Sequence, residues 1–157
     1  MAKNAYDDDR CKGVLVRLDQ ARVMSRKPLD RESRRMEVEC SHAIEDAEVA
    51  ERKLQDLCED FDWSRDGIAI AVIKQAAVYP VNQAAREVDG YVRLGIEIDD
   101  DGRVGSAHIL TSEPPKFFDS VAKKAVLQWR YCPKRFVPVD THWPETAEMR
   151  FKLPVLR

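Results

Sequence analysis

Four cysteines and three histidines are the residues here best suited to covalent or metal chemistry, and their spacing argues against both uses. Cys11, Cys40, Cys58 and Cys132 form no C-x-x-C pair, and His42, His108 and His142 are scattered. A structural zinc site takes its ligands in close pairs, so no metal is expected. The run Asp99-Asp100-Asp101 offers carboxylates, but the further oxygen ligands and distal Glu of a calcium loop are absent. Asp101-Gly102 between two apolar runs reads instead as a hairpin turn, because glycine supplies a positive φ cheaply. No G-x-S-x-G, H-E-x-x-H, G-x-x-x-x-G-K-S/T or G-x-G-x-x-G occurs. His108 falls in a strand as a half-exposed sheet residue, His42 faces solvent, and His142 reads as a packing partner of Trp143. The chain is therefore expected not to be an enzyme and to use no cofactor.

The elements that carry these residues fall into two groups. The chain has 157 residues, 44% of them hydrophobic and 34% charged, enough for a buried core and unlike a disordered segment. Its net charge of -2 argues against a nucleic-acid partner, which would normally meet a basic excess. The longest apolar run, Ile68 to Ile73, is far short of the roughly 20 residues that span a bilayer. Asp7, Asp8 and Asp9 stand where a leader would be apolar. Composition shifts near residue 66. Residues 1–66 hold one proline of eight and one glycine of six, with a net charge of -4; residues 67–157 hold the rest, with +2. A boundary is expected at Ser64-Arg65-Asp66-Gly67, giving domains 1–66 and 67–157.

Residues 1–66 read as an antiparallel helical hairpin. Met36, Cys40, Ala43, Ala47, Ala50, Leu54, Leu57 and Phe61 recur at spacings of four and three. Cys11, Val14, Leu18 and Ala21 mark a shorter helix, Lys27-Pro28 breaks the chain, and Asp30 is placed to cap the longer helix. Residues 67–157 read as α+β. Val81 to Val88 is expected to be a brief helix. Tyr91 to Ile98 alternates as a strand, Val104 to Thr111 follows the turn, and Thr146 to Leu153 forms a last strand bracketed by prolines. Between them Phe118, Val121, Ala122, Ala125, Val126 and Trp129 stripe a helix that stops at Arg130-Tyr131-Cys132-Pro133. Trp129, Phe118 and Phe151 are the expected core aromatics.

Helix geometry brings Cys11 and Cys40 level across the hairpin after a stagger of about one turn. One disulfide between these seams is expected, with Cys11–Cys58 as the rival pairing and Cys132 as a free, packed thiol. Four reduced cysteines in a cytoplasmic protein stand as the alternative.

In order, Tyr79-Pro80, Ala84-Ala85, Gly90-Tyr91-Val92, Asp101-Gly102-Arg103-Val104, Ile109, Ser112 with Pro114, Phe118, Ala122 with Ala125, Trp129-Arg130-Tyr131 with Pro133, and Phe151-Lys152-Leu153 resemble the TonB C-terminal domain family. The resemblance covers residues 79–153. It implies a three-stranded antiparallel sheet with one packed helix, in a protein that works in the periplasm. Members capture an extended segment of an outer-membrane receptor by pairing it with a sheet edge. Carried over by position, Glu148, Arg150 and Lys152, with Tyr79, Pro80 and the stretch before them, form that docking edge. The best-known members also carry a transmembrane helix and a long Pro-rich spacer, where this chain has a charged hairpin. Either a signal and anchor lie outside this sequence, or the chain is a TonB-like binding module with another purpose, which is the reading preferred here. The alternative function is a scaffold that dimerises through its helical hairpin without capturing a peptide.

Overall fold

The computed structural model describes residues 5–25, 28–44, 47–60, 67–69, 71–80 and 88–152. Phe61, the joint at 64–66, Ala84-Ala85 within the expected helix, and Leu153 lie outside these. The chain divides into two units, Met1–Asp66 and Gly67–Arg157.

The first unit holds helices α1 (Ala5–Ser25), α2 (Arg31–Ile44) and α3 (Ala47–Glu59). Asp30 starts α2: its carboxylate accepts from the Ser33 N–H at 2.9 Å and the Ser33 hydroxyl at 3.0 Å. Those bonds, the backbone one first, hold its carboxyl below the ordinary value of 3.8. The long seam expected to be one helix is divided between α2 and α3, which pack antiparallel. Lys53 Nζ donates to Ser41 Oγ at 2.9 Å, twelve residues away. On one continuous helix those residues would stand about 18 Å apart. Arg34 fixes the same fold-back, donating to Asp60 Oδ2 at 2.7 Å and to the Asp56 carbonyl in the last turn of α3 at 2.8 Å.

Division of the seam changes what is buried. Met36 and Ala47, read as seam residues, are exposed, whereas Val38, Ser41 and Cys58 are buried. Glu37 of α2 is also buried, 2.7 Å from Arg22 of α1 and 3.6 Å from Lys53 of α3. One carboxylate thus ties all three helices, and its two cations offset the cost of taking it out of water. Heptad spacing carries no sign of this triad, because Glu37 sits beside the apolar stripe rather than on it. Cys11 is bonded to Cys40, with Cα atoms 4.9 Å apart, which overturns the Cys11–Cys58 pairing. Cys58 is itself disulfide-bonded.

The second unit is α+β. A three-stranded antiparallel sheet has the order β3-β2-β5, from β2 (Gly90–Ile98), β3 (Val104–Glu113) and β5 (Thr146–Phe151). Helix α4 (Asp119–Val126) covers one face, burying Phe118, Ala122, Ala125 and Val126 with Val92, Leu94, Ala147 and Phe151. Two short strands form a second, two-stranded sheet that the sequence reading did not anticipate: β1 (Ala71–Ile73) and β4 (Arg130–Tyr131). The apolar stripe of α4 runs to Trp129, yet the helix ends at Val126. The turn tightens through Gln128 N–H to Ala125 O at 3.1 Å and Trp129 N–H to Val126 O at 3.0 Å, both i to i−3. Arg130 then begins a strand. Burial pushes the Tyr131 hydroxyl up to about 12.

The turn between β2 and β3 forms at Asp99–Gly102. Asp99 Oδ1 accepts from Asp101 N–H at 3.0 Å and Arg103 N–H at 2.9 Å, and Gly102 adopts φ +80°. Lys134 Nζ reaches Asp100 at 2.9 Å, so these carboxylates serve the turn and its neighbours. Cys132, expected to be a free thiol, is buried and disulfide-bonded; no free cysteine remains. Pairing depends on tertiary proximity, and sequence spacing carried no signal for it. Among the described residues no helix is long and apolar enough to cross a membrane.

Candidate functional site

β5 pairs with β2 on one side and, among the described residues, with no strand on the other. Its register is uninterrupted: Gly90 opposite Phe151, Val92 opposite Met149, Leu94 opposite Ala147, and Gly95 opposite Thr146. Ile96 N–H donates to the Glu145 carbonyl at 2.9 Å, so 96 and 145 are a hydrogen-bonded pair. Antiparallel pairing alternates, which makes 94/147, 92/149 and 90/151 the next such pairs. The N–H and C=O groups of Thr146, Glu148 and Arg150 therefore point away from the sheet, with Lys152 next in phase.

β3 forms the opposite edge and differs from β5. Its register against β2 shifts twice, between Arg93 and Leu94 and between Glu97 and Ile98. These bulges put Val104, Ala107 and Ile109 on the inner side at uneven spacing, and they leave Leu110 half-exposed. A bulged edge twists away and presents a broken row of donors. Of the two edges, only β5 offers a regular row.

The outer face of the sheet is polar. Across the strands Glu113, Tyr91 and Arg150 form one row, and Thr111, Arg93 and Glu148 the next. Arg150 lies over the Tyr91 ring, 5.6 Å from its centroid, and Arg93 Nε is 3.7 Å from Glu148. A hydrogen bond to Glu148 raises the Tyr91 hydroxyl above its ordinary value of 10. At the end of these rows lies an open groove of about 600 Å³, lined by Asp89 just before β2, Glu113 of β3, Arg150 of β5 and Lys152 just after it.

Tyr79 stands elsewhere. Its hydroxyl donates to the Val88 carbonyl at 2.6 Å, and its ring meets Phe118 edge-on at 5.3 Å. Phe118 stacks on Phe151 of β5 at 4.3 Å. Tyr79 thus backs the edge strand through two rings, and Pro80 is half-buried beside it. Of the stretch before them, residues 71–73 pair with β4. Glycine is required at position 90 by this stack: a Cβ there would meet the Phe118 ring and stand 2.9 Å from the Glu113 carbonyl. Gly90→Ala is expected to cost about 1–3 kcal/mol as an overpacked site, read as a lower midpoint in urea with an unchanged slope.

The histidines do not converge. His108 lies on the outer face beside Gly95, where an added Cβ would meet its ring, and His42 is exposed. His142 is exposed too; its backbone bonds Ala69 and Gly67, while Trp143 meets the Tyr131 ring at 6.2 Å. Among the described residues no cluster of His, Cys, Asp and Glu could hold a metal.

The sequence that forms this sheet and helix has known relatives. Residues 75–153 match the family described as the C-terminal region of the Gram-negative bacterial TonB protein. The chain belongs to the TonB C-terminal family. Protein TonB of Escherichia coli strain K12 is 32% identical over 63 residues, 40% of this chain and 26% of that protein. Protein TonB of Pseudomonas aeruginosa is 35% identical over 57 residues, 36% of this chain and 17% of that one. This TonB-like chain thus matches about a quarter or less of the length of either. The solution structure of the Pseudomonas aeruginosa TonB C-terminal domain superposes with a TM-score of 0.46 at 26% identity, covering 60% of this chain and 95% of that one.

Proposed function

We propose that β5 captures an extended segment of another protein by adding it as a fourth strand, and that the chain does so in the periplasm. The observation that carries this is the regular, unpaired row of N–H and C=O groups at Thr146, Glu148 and Arg150 on an unbulged edge. A fourth strand gains main-chain hydrogen bonds there, and alternate side chains set its selectivity. Tyr79 and Pro80 take a supporting part, since Tyr79 backs Phe118 and Phe118 backs Phe151. Membership of the TonB C-terminal family favours an outer-membrane receptor as the source of the segment. The bonded cysteines favour an oxidising compartment.

Proline scanning tests the mechanism. Glu148→Pro and Arg150→Pro each remove an outward N–H and no ladder bond, so these variants are expected to fold and to lose strand pairing. Ala147→Pro and Met149→Pro remove donors to β2 and are expected to disrupt the sheet. Amide shifts of β2 and β5, followed by NMR as an extended peptide is added, give the readout. Undiminished binding by folded Glu148→Pro and Arg150→Pro would remove strand addition from consideration.

A further inference from the structure

Charge is segregated in the Gly67–Arg157 unit. Glu97, Glu113 and Glu148, exposed carboxylates of β2, β3 and β5, stand on the outer face of the sheet. The other face is covered by α4, whose own outer side carries Ser120, Lys123, Lys124 and, just past its end, Leu127, all exposed. Lys116 precedes this helix, and Lys74 lies at its far end, 4.8 Å from the Trp129 ring centroid. Asp119, the single acid of α4, is half-buried with its Oδ1 inside. Among the described residues none of these four lysines meets a carboxylate in a salt bridge. Lys134 and Arg135, elsewhere in the unit, are instead held by Asp100 and Asp101 at 2.9 and 3.8 Å.

Shape and residue type decide what such a face fits. It is the convex side of one short helix, and the neighbouring rings of Phe118 and Trp129 are buried. The face therefore lacks the aromatic anchors on which protein interfaces centre. Its cations are all lysines. A lysine ammonium is a point charge on a flexible stem, suited to a smeared array of anions, whereas pairing with one placed carboxylate favours the planar fork of arginine. Leu127 stands one turn from both Lys123 and Lys124 and gives the patch an apolar tip. The chain carries a net charge of -2, so attraction to an anionic surface has to come from this patch and not from overall charge.

We propose that the outer side of α4 rests on an anionic phospholipid surface, with Lys116, Lys123 and Lys124 against the headgroups and Leu127 in the headgroup layer. Phosphate groups spread over a bilayer supply the negative charge that these lysines lack within the unit. Because α4 covers one face of the sheet and β5 is an edge, contact through α4 leaves that edge open. The inference stands whether or not β5 takes up a strand.

Flotation of the full chain with vesicles of phosphatidylcholine, alone or mixed with phosphatidylglycerol, tests this. The chain is expected to float with the mixed vesicles only, and less so as salt rises. Each lysine at such a surface contributes about fivefold, so Lys123→Gln/Lys124→Gln should weaken binding about twenty- to thirtyfold. Arg17→Gln/Arg52→Gln removes the same charge from exposed sites of the helical unit and should bind as the parent does. Circular dichroism of both double variants, matched to the parent, shows that each is folded. No flotation with the mixed vesicles at low salt, or equal loss in the two double variants, overturns the proposal. Binding of poly-glutamate through Lys123 and Lys124 without binding of vesicles overturns it as well, and assigns the face to an acidic protein.

Discussion

Trp129→Ala is expected to destabilise the Gly67–Arg157 unit by about 3–5 kcal/mol, the range for truncating a buried aromatic. Trp129 is 5% exposed and lies where the last turn after α4 meets the segment leaving β1. Its indole N–H donates to the Gln75 carbonyl at 2.9 Å, and Lys74 Nζ stands 4.8 Å from the ring centroid. Truncation removes the packing of the ring and leaves that carbonyl without its donor. In a unit of this size the loss corresponds to a fall in Tm of roughly 15 °C or more. Trp129→Phe keeps a six-membered ring and loses the five-membered part of the indole with its N–H, so a smaller cost of about 1–3 kcal/mol is expected. Thermal melts of the two variants beside the parent chain give the comparison. Near-parental melting of Trp129→Ala would show that the ring is not a structural contact.

Removing the Cys11–Cys40 bond is expected to cost the helical unit about 3–4 kcal/mol. The estimate follows from a sequence separation of 29 residues, whose closure restricts the unfolded chain. Apart from the Arg22–Glu37 pair, α1 holds to the unit through half-buried residues, among them Val14, Leu15 and Leu18. Val16, Val23 and Met24 of α1 are exposed, and the buried apolar residues Val38, Ala50, Leu54 and Leu57 belong to α2 and α3. Small units with small cores depend on such staples. In Cys11→Ser or Cys40→Ser, α1 should lose its docking on α2, seen as reduced helical circular dichroism and lower protection of α1 amides from exchange. Thiol counting in denaturant without reductant should find no free thiol in the parent chain. Four free thiols in protein from its native compartment would overturn both the staple and the periplasmic placement.

Local chemistry fixes those features of this protein that depend on neighbours in sequence. Strand alternation from Tyr91 to Ile98 and from Thr146 onward, the Asp-Gly turn, the apolar stripe from Phe118 to Val126 and the capping of α2 by Asp30 were legible because each repeats a short period or places one residue type at one turn position. The family resemblance was legible for the same reason: its motifs are short and ordered. Tertiary structure alone decided what depends on distant neighbours. A heptad pattern looks the same whether one helix carries it or two helices fold back on each other, so the break between α2 and α3, and the burial of Glu37 between Arg22 and Lys53, left no mark on it. β1 and β4 are too short to show a period, and only their meeting makes them strands. Cys132 read as free because a cysteine's partner is chosen by space, not by spacing. The free row of donors on β5 is of the same kind. Alternation showed which side chains point outward, but which edge stays open was settled by the strand order β3-β2-β5 and by the bulges that spoil β3.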